Sequence, residues 1–359
     1  MKIGIPSEVK IAEHRGSLTP DAVSTLISEG HTVFVQSQAG AAIGFTDEHY
    51  ERAGASILSS AQAIFDQAEL IIKVKEPQPS EIAMLKPHHT LFTYLHLAAD
   101  RAMTDALVAT GCRAIAYETV RDSHGQLPLL APMSQVAGRM ATQVAAESLM
   151  LHRGGMGKLL GGVPGTASAK VTVLGGGVVG TEAARMAIGL GADVTIVDRS
   201  LPRLKQLDDL FNGRLKTQAA VGSSVDRLIV NSDVVIGAVL IPGAVAPKLV
   251  RTSHLVEMQN GSVIVDVAID QGGCFETSRP TTHEEPTYVV EGVVHYCVAN
   301  MPGAVARTST EALVAATLPY ALAIANDANA AMASDKGLAQ GLSVDKGQLV
   351  CQDVIAAFN

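Results

Sequence analysis

Four short segments of this 359-residue chain set a chemically versatile side chain directly behind an apolar, strand-like run. Glu13-His14-Arg15 follows the opening run, and Lys73-Val74-Lys75-Glu76-Pro77 stands where a second run meets a proline. Tyr94-Leu95-His96 closes a third, and Asp266-Val267-Ala268-Ile269-Asp270 a fourth. Arg15 offers a planar fork suited to a carboxylate, and Lys75 a compact charge suited to a carboxylate or a carbonyl oxygen. His96, with an ordinary pKa of about 6.5, exchanges a proton at physiological pH. Asp270 is placed to orient that imidazole or an attacking water. Each also has an ordinary role: Arg15 as a surface ion-pair residue, His96 as a satisfied strand-end histidine, Asp270 as a cap for Gly272-Gly273. Lys73 and Lys75 share a strand face by period 2, so one of them can be a solvated bystander. Spacing alone does not choose these four.

The stretch KVTVLGGGVVGTEAARMAIGLGADVTIVDRS, from Lys170 to Ser200, is more specific. It reads as strand, glycine turn, helix, strand and terminal acid. Gly175, Gly177 and Gly180 give the G-x-G-x-x-G spacing: a tight turn, a bare backbone against a pyrophosphate, and close helix–strand packing. A helix from about Val178 to Leu190 points its N-terminal N–H groups at that pyrophosphate. The strand Val194 to Val197 ends in Asp198, whose carboxylate suits the adenosine ribose hydroxyls and disfavours a 2′-phosphate, so the expected cofactor is NAD rather than NADP. Arg199 and Arg203 pull the other way, since an arginine can pair with a phosphate. A nicotinamide enzyme also needs groups that hold a substrate and move a proton as hydride leaves, which is the chemistry the four segments offer.

Around these residues, short buried runs alternate with segments of helical period over the first 130 residues: strands at Ile3 to Ile5, His31 to Val35, Leu70 to Val74, Thr90 to Leu95 and Arg113 to Tyr117, with helices at Pro20 to Glu29 and Asp100 to Thr110. The pattern predicts a second doubly wound sheet, one without a glycine fingerprint and hence without its own nucleotide. A long helical segment, Pro132 to Arg153, leads into the glycine stretch. Further strands follow at Ser232 to Val239, Ser262 to Val267 and up to about Asn300, and a helix from Ser309 to Asn326 returns the chain to its first part. The expected organisation is α/β with two doubly wound Rossmann-like domains joined by long helices. A cofactor domain, 131–306, is inserted into a discontinuous substrate domain, 1–130 and 307–359. The tail from Met332 reads as helical and polar turns.

Composition fits. The chain is 47% hydrophobic with no Trp, as an aliphatic α/β protein should be, and its net charge of −8 without a basic cluster argues against nucleic acid as a partner. MKIGIPSEVK holds no apolar signal segment, and no uninterrupted apolar run reaches membrane-spanning length, so a cytoplasmic location and no membrane partner are expected. Cys112, Cys274, Cys297 and Cys351 are scattered without metal-ligand spacing and read as reduced, buried thiols, so no metal is expected.

The chain also resembles the alanine dehydrogenase family, which includes the NAD-binding part of proton-translocating transhydrogenase. The resemblance covers essentially the whole sequence and rests on ordered segments: GIPSEVK, Glu13-His14-Arg15 with Leu18-Thr19-Pro20, KVKEP, LFTYLHLA, LLAPMSQVAGRMA, GGVPGT, LGGGVVG, IGAVLIPGAVAPKLV, GSVIVDVAIDQGGC, RPTTH and YCVANMPGAVARTST. It implies oxidative deamination of L-alanine with NAD to pyruvate and ammonium, the reverse reaction, and a homohexamer. The family's substrate-binding residues fall on Arg15 and Lys75, and its catalytic residues on His96 and Asp270, which the family brings together across an interdomain cleft. Cofactor contacts carry over to Ser134, Gly175, Gly177, Val178, Val179, Gly180, Asp198, Arg203, Val239, Leu240, Val267, Ala268, Ile269, Asp270, Val298, Ala299, Asn300 and Met301. Two positions depart from the usual pattern. Gly16-Ser17 replaces small apolar residues and is expected to loosen the arginine loop, and Ala219 and Ala220 offer no hydroxyl to the adenosine.

Overall fold

The computed structural model of the chain describes residues 1–239 and 247–358. The first six strands are β1 (Lys2–Ile5), β2 (Thr32–Gln36), β3 (Ser56–Leu58), β4 (Leu70–Ile72), β5 (Thr90–Thr93) and β6 (Arg113–Ala116). Seven more follow: β7 (Lys170–Leu174), β8 (Asp193–Asp198), β9 (Lys216–Ala219), β10 (Val234–Gly237), β11 (Val263–Asp266), β12 (Thr287–Val290) and β13 (Val293–Tyr296). The last two are β14 (Leu342–Asp345) and β15 (Gln348–Leu349).

Two compact units result, Met1–Met133 with Val305–Asn359, and Ser134–Ala304. The first boundary falls inside the helix Ala131–Ser148. The first unit holds one eight-stranded sheet of order β3-β2-β1-β4-β5-β6-β14-β15, parallel from β3 to β6. The second holds a seven-stranded sheet of order β9-β8-β7-β10-β11-β13-β12, in which only β12 runs antiparallel to its neighbour. Every residue of β4, β5, β10 and β11 is buried, as expected of central parallel strands covered on both faces. Phe34, Ile64 and Leu91 lie in the first core, and Val235, Ile264 and Phe275 in the second.

Both sheets start in the middle and reverse direction of winding once, between β1 and β4 in one and between β7 and β10 in the other. In doubly wound sheets the carboxyl ends of the strands on either side of that reversal open a crevice, and ligands bind there. The segments that carry Arg15, Lys75 and His96 leave the carboxyl ends of β1, β4 and β5, so the winding itself gathers them.

The tail holds the expected helical turns, Lys336–Ala339 and Gln352–Ala357, and adds two strands: β14 pairs antiparallel with β6, and β15 folds back on β14. Asp345 faces Gln348 across Lys346 and Gly347, whose φ values are 49° and 75°. Two successive positive φ values make the tight primed turn that suits a hairpin. With four and two residues, the strands are too short for their alternation to stand out.

The helix Ala306–Ser334 breaks at Asp327, one residue past the predicted end at Asn326, where φ is −162° and the Asp327 carboxylate caps the N–H groups of Asn329 and Ala330. By length and composition alone the helical stretch Met301–Ser334 is long and apolar enough to cross a membrane, although Arg307, Glu311 and Asp327 interrupt it. Leu313, Ala321 and Ile324 on it are fully buried, and Arg307 donates to the carbonyl of Ile43, so it packs as a core helix of the first unit.

Candidate active site

Arg15 is buried rather than a surface residue. Glu13, two residues earlier, accepts from its Nε at 2.6 Å, from Nη2, and from the Arg15 backbone N–H at 3.1 Å. Nη1 reaches the Met133 sulfur at 3.0 Å. Burial pushes the Glu13 carboxyl up, but the hydrogen bonds and charge of Arg15 outweigh it and hold its pKa below the ordinary value. The Gly16-Ser17 step is not loose: the Gly16 N–H donates to Thr310 Oγ1 at 2.9 Å, and Ser17 is buried.

The two lysines after β4 have different fates, and neither is a solvated bystander. Lys73 is fully buried and ion-paired with Glu8 at 3.1 Å and Glu81 at 2.7 Å. Burial opposes its charge, yet the two carboxylates more than offset that and raise its pKa. Glu8 also accepts the N–H groups of Val74 at 2.7 Å and Lys75 at 3.3 Å, which fixes the chain where it leaves the sheet. Lys75 itself is half-buried. Burial, then the charges of Arg15 and Lys10, lower its pKa, so Arg15 and Lys75 share one electrostatic neighbourhood.

His96 follows β5 with its side chain exposed and its backbone left-handed, at φ 51° and ψ 34°. Its ring stacks on Tyr94, with centroids 5.8 Å apart and planes 8° from parallel. Tyr94 is buried, donates from its hydroxyl to the Leu129 carbonyl at 2.6 Å, and couples electrostatically to Arg15. Arg15, Lys75 and His96 thus all follow the carboxyl ends of neighbouring strands of the first sheet, with Arg15 near Lys75 and Tyr94 stacked on His96.

In the second unit the three fingerprint glycines stand in different surroundings. Gly175 has φ 102°, and a Cβ there would lie 2.7 Å from the Ala238 carbonyl. A Cβ on Gly180 would lie 1.8 Å from the Gly175 carbonyl. On Gly177 it would meet nothing within 4 Å, so the backbone faces open space where a phosphate has room. Gly177 also caps the helix Val178–Gly189 without any side-chain hydrogen bond. Val178 and Val179 open that helix, and Ser134 lies half-buried in the first turn of Ala131–Ser148.

Asp198 ends β8 and ties the turn to it: one carboxylate oxygen accepts from the Gly176 N–H at 2.7 Å, the other from Ser200 at 2.8 Å. Arg203 donates from Nε to the Gly176 carbonyl at 2.7 Å, from Nη2 to Thr181 at 2.8 Å and from Nη1 to Gln206 at 3.1 Å. Val239 lies beside Gly175, while Leu240 is outside the described residues. Val267, Ala268, Ile269 and Asp270 form the loop after β11, anchored by the buried Asp266, which accepts from Ala268 at 3.1 Å, Cys274 at 2.8 Å and the Ser278 hydroxyl. Asp270 is exposed and does not cap the glycines, because Gly272 and Gly273 donate to the carbonyls of Ile269 and Ala268. Val298, Ala299, Asn300 and Met301 follow β13, with Asn300 left-handed at φ 57°.

The sequence gives no role to four acids that hold these residues: Glu8, Glu13, Glu118 and Asp266. Glu8 and Glu13 stood inside quoted motifs, and the signal available was an acid within two or three residues of a cation or a strand end.

Two doubly wound units, one with a dinucleotide fingerprint, place the chain among the Rossmann-type α/β proteins. The chain belongs to the alanine dehydrogenase/PNT family: the N-terminal domain model matches residues 4–137 and the C-terminal domain model residues 141–352. An alanine dehydrogenase of Halomonas elongata is 56% identical over all of this chain and 97% of its own length. The solved structure of an L-alanine dehydrogenase, 50% identical, superposes with a TM-score of 0.97 over 100% of this chain and 99% of that one. A transhydrogenase structure from Sinorhizobium meliloti, 25% identical, gives 0.84 over 98% and 99%. The C-terminal family model extends past the second compact unit, since residues beyond 304 fold with the first.

Proposed function

We propose that the chain is an NAD-dependent L-alanine dehydrogenase: L-alanine, water and NAD⁺ give pyruvate, ammonium, NADH and a proton, and the reverse. The observation that supports this reading is that Arg15, Lys75 and the Tyr94-stacked His96 follow the carboxyl ends of β1, β4 and β5 in the first sheet. The full-length identity to proteins named alanine dehydrogenase supports it.

In this reading Arg15, its plane fixed by Glu13, pairs with the substrate carboxylate, and Lys75 adds charge at the carboxylate and at the forming carbonyl oxygen. Fixing Cα this way supplies orientation, worth several kcal/mol of a barrier when reacting atoms are close. His96 acts as acid and base for the water that attacks the iminium carbon and for the departing ammonia, and Asp270 assists that proton transfer. The second unit binds NAD, which accepts the hydride from Cα. Gly177 leaves room for the pyrophosphate, the uncapped helix end favours its charge, and Asp198 faces the ribose. Ser134, Val178, Val179, Val239, Val267 to Asp270 and Val298 to Met301 complete the cofactor contacts on the family's pattern. Three of the five Arg203 N–H donors are engaged within the unit, which leaves fewer for a 2′-phosphate and favours NAD over NADP. A cytoplasmic homohexamer is part of the same reading, carried by the family resemblance and tested by light scattering of the purified chain.

One assay tests the activity: NADH formation by the purified chain with L-alanine, its consumption with pyruvate plus ammonium, and hydride transfer to an NADP analogue. Turnover in the first two arms is expected. Transfer to the analogue without alanine turnover would instead favour a transhydrogenase role, and silence in all arms would refute both.

A further inference from the structure

The left-handed backbone of His96 needs a cause. A side chain bearing Cβ is disfavoured at φ 51°, and such residues persist only where their surroundings hold them. Glu118 supplies the hold. It lies in the turn Tyr117–Thr119 directly after β6, which pairs with β5 up to Thr93 and Ala116. Its Oε1 accepts the His96 N–H at 2.6 Å, and the Leu95 N–H points at both carboxylate oxygens, at 3.1 and 3.2 Å. Two consecutive backbone N–H groups converge on one anion, the arrangement of an anion-binding nest with the protein's own carboxylate in it. Among the described residues, this turn and the flat face of Tyr94 set the direction of the exposed imidazole.

We infer that Glu118 is a positioning residue for His96: its carboxylate fixes the left-handed turn that aims the imidazole at the substrate. The inference rests on the reading of His96 as the acid–base group. The test compares Glu118→Ala and Glu118→Gln in the full chain, each alone and combined with His96→Ala, by alanine oxidation with NAD. Glu118→Ala is expected to lower kcat about 100-fold, the scale of a misplaced catalytic group, with KM for NAD unchanged. Glu118→Gln keeps a carbonyl acceptor and loses less. Combined with His96→Ala, either variant should change the residual kcat by less than about twofold, because nothing is left to aim. The same fold-loss with and without His96, or an unchanged kcat for both Glu118 variants, overturns the inference. Full turnover in His96→Ala alone overturns the reading beneath it. If Glu118→Ala does not fold, Glu118→Gln carries the same comparison.

Discussion

Glu13 Oε1 lies 2.6 Å from Arg15 Nε, so the proposed substrate guanidinium is gripped along one edge by a carboxylate only two residues away. A lysine at position 15 keeps the charge but loses both this grip and the planar fork. Arg15→Lys is expected to raise KM for alanine and for pyruvate together while KM for NAD stays put. An unchanged KM for both substrates counts against Arg15 as the carboxylate ligand.

His96→Ala is expected to cost about 10²- to 10⁴-fold in kcat, the usual worth of a general acid–base group. NADH titrated by fluorescence should bind as before, because no described cofactor contact involves the imidazole. Retained kcat removes the role.

The lowered pKa of Lys75, due first to burial and then to Arg15 and Lys10, has a sign that can be checked. Its charge is present at low pH and is lost as pH rises through a value below the ordinary lysine one. KM for pyruvate, whose carboxylate stays ionised throughout, should therefore climb at a lower pH than an unperturbed lysine would allow. In Lys75→Arg, which stays charged, that rise should vanish.

Lys73 holds two buried carboxylates, Glu8 and Glu81. Replacing it with methionine keeps the volume and leaves those charges uncompensated, at a cost of about 3–5 kcal/mol. Urea unfolding of Lys73→Met should register that loss, and stability equal to the parent would show that the triad contributes little.

Gly180→Ala forces a Cβ to within 1.8 Å of the Gly175 carbonyl, so turn and helix must separate. The expected result is NADH binding weakened more than about tenfold, with about 1–3 kcal/mol lost in stability from overpacking. Unaltered binding would mean that the turn does not carry the cofactor.

Much of this was legible in the sequence. Val171 to Leu174, Gly175 to Gly180 and Asp198 announced the second unit because a phosphate-binding turn tolerates few residue types at fixed spacing. The central strands of the first sheet were visible as apolar runs for the same reason, burial on both faces. Their ends were not: Val74, Tyr94 and Leu95 continue the apolar run, but the chain leaves the ladder where Glu8 and Glu118 take over its N–H groups. Period says nothing about a partner dozens of residues away. The hairpin of β14 and β15 escaped because strands of four and two residues carry little pattern. Lys73 looked like Lys75 until tertiary contacts separated them.

The two sheets share one winding order, yet the third residue past the first strand is Glu8 in one and Gly177 in the other. Where the second crevice offers bare backbone to a phosphate, the first is already occupied by the protein's own anion, bonded to Lys73 and to the chain leaving β4. The same winding thus leaves a filled anion position in the first turn and an open one in the second.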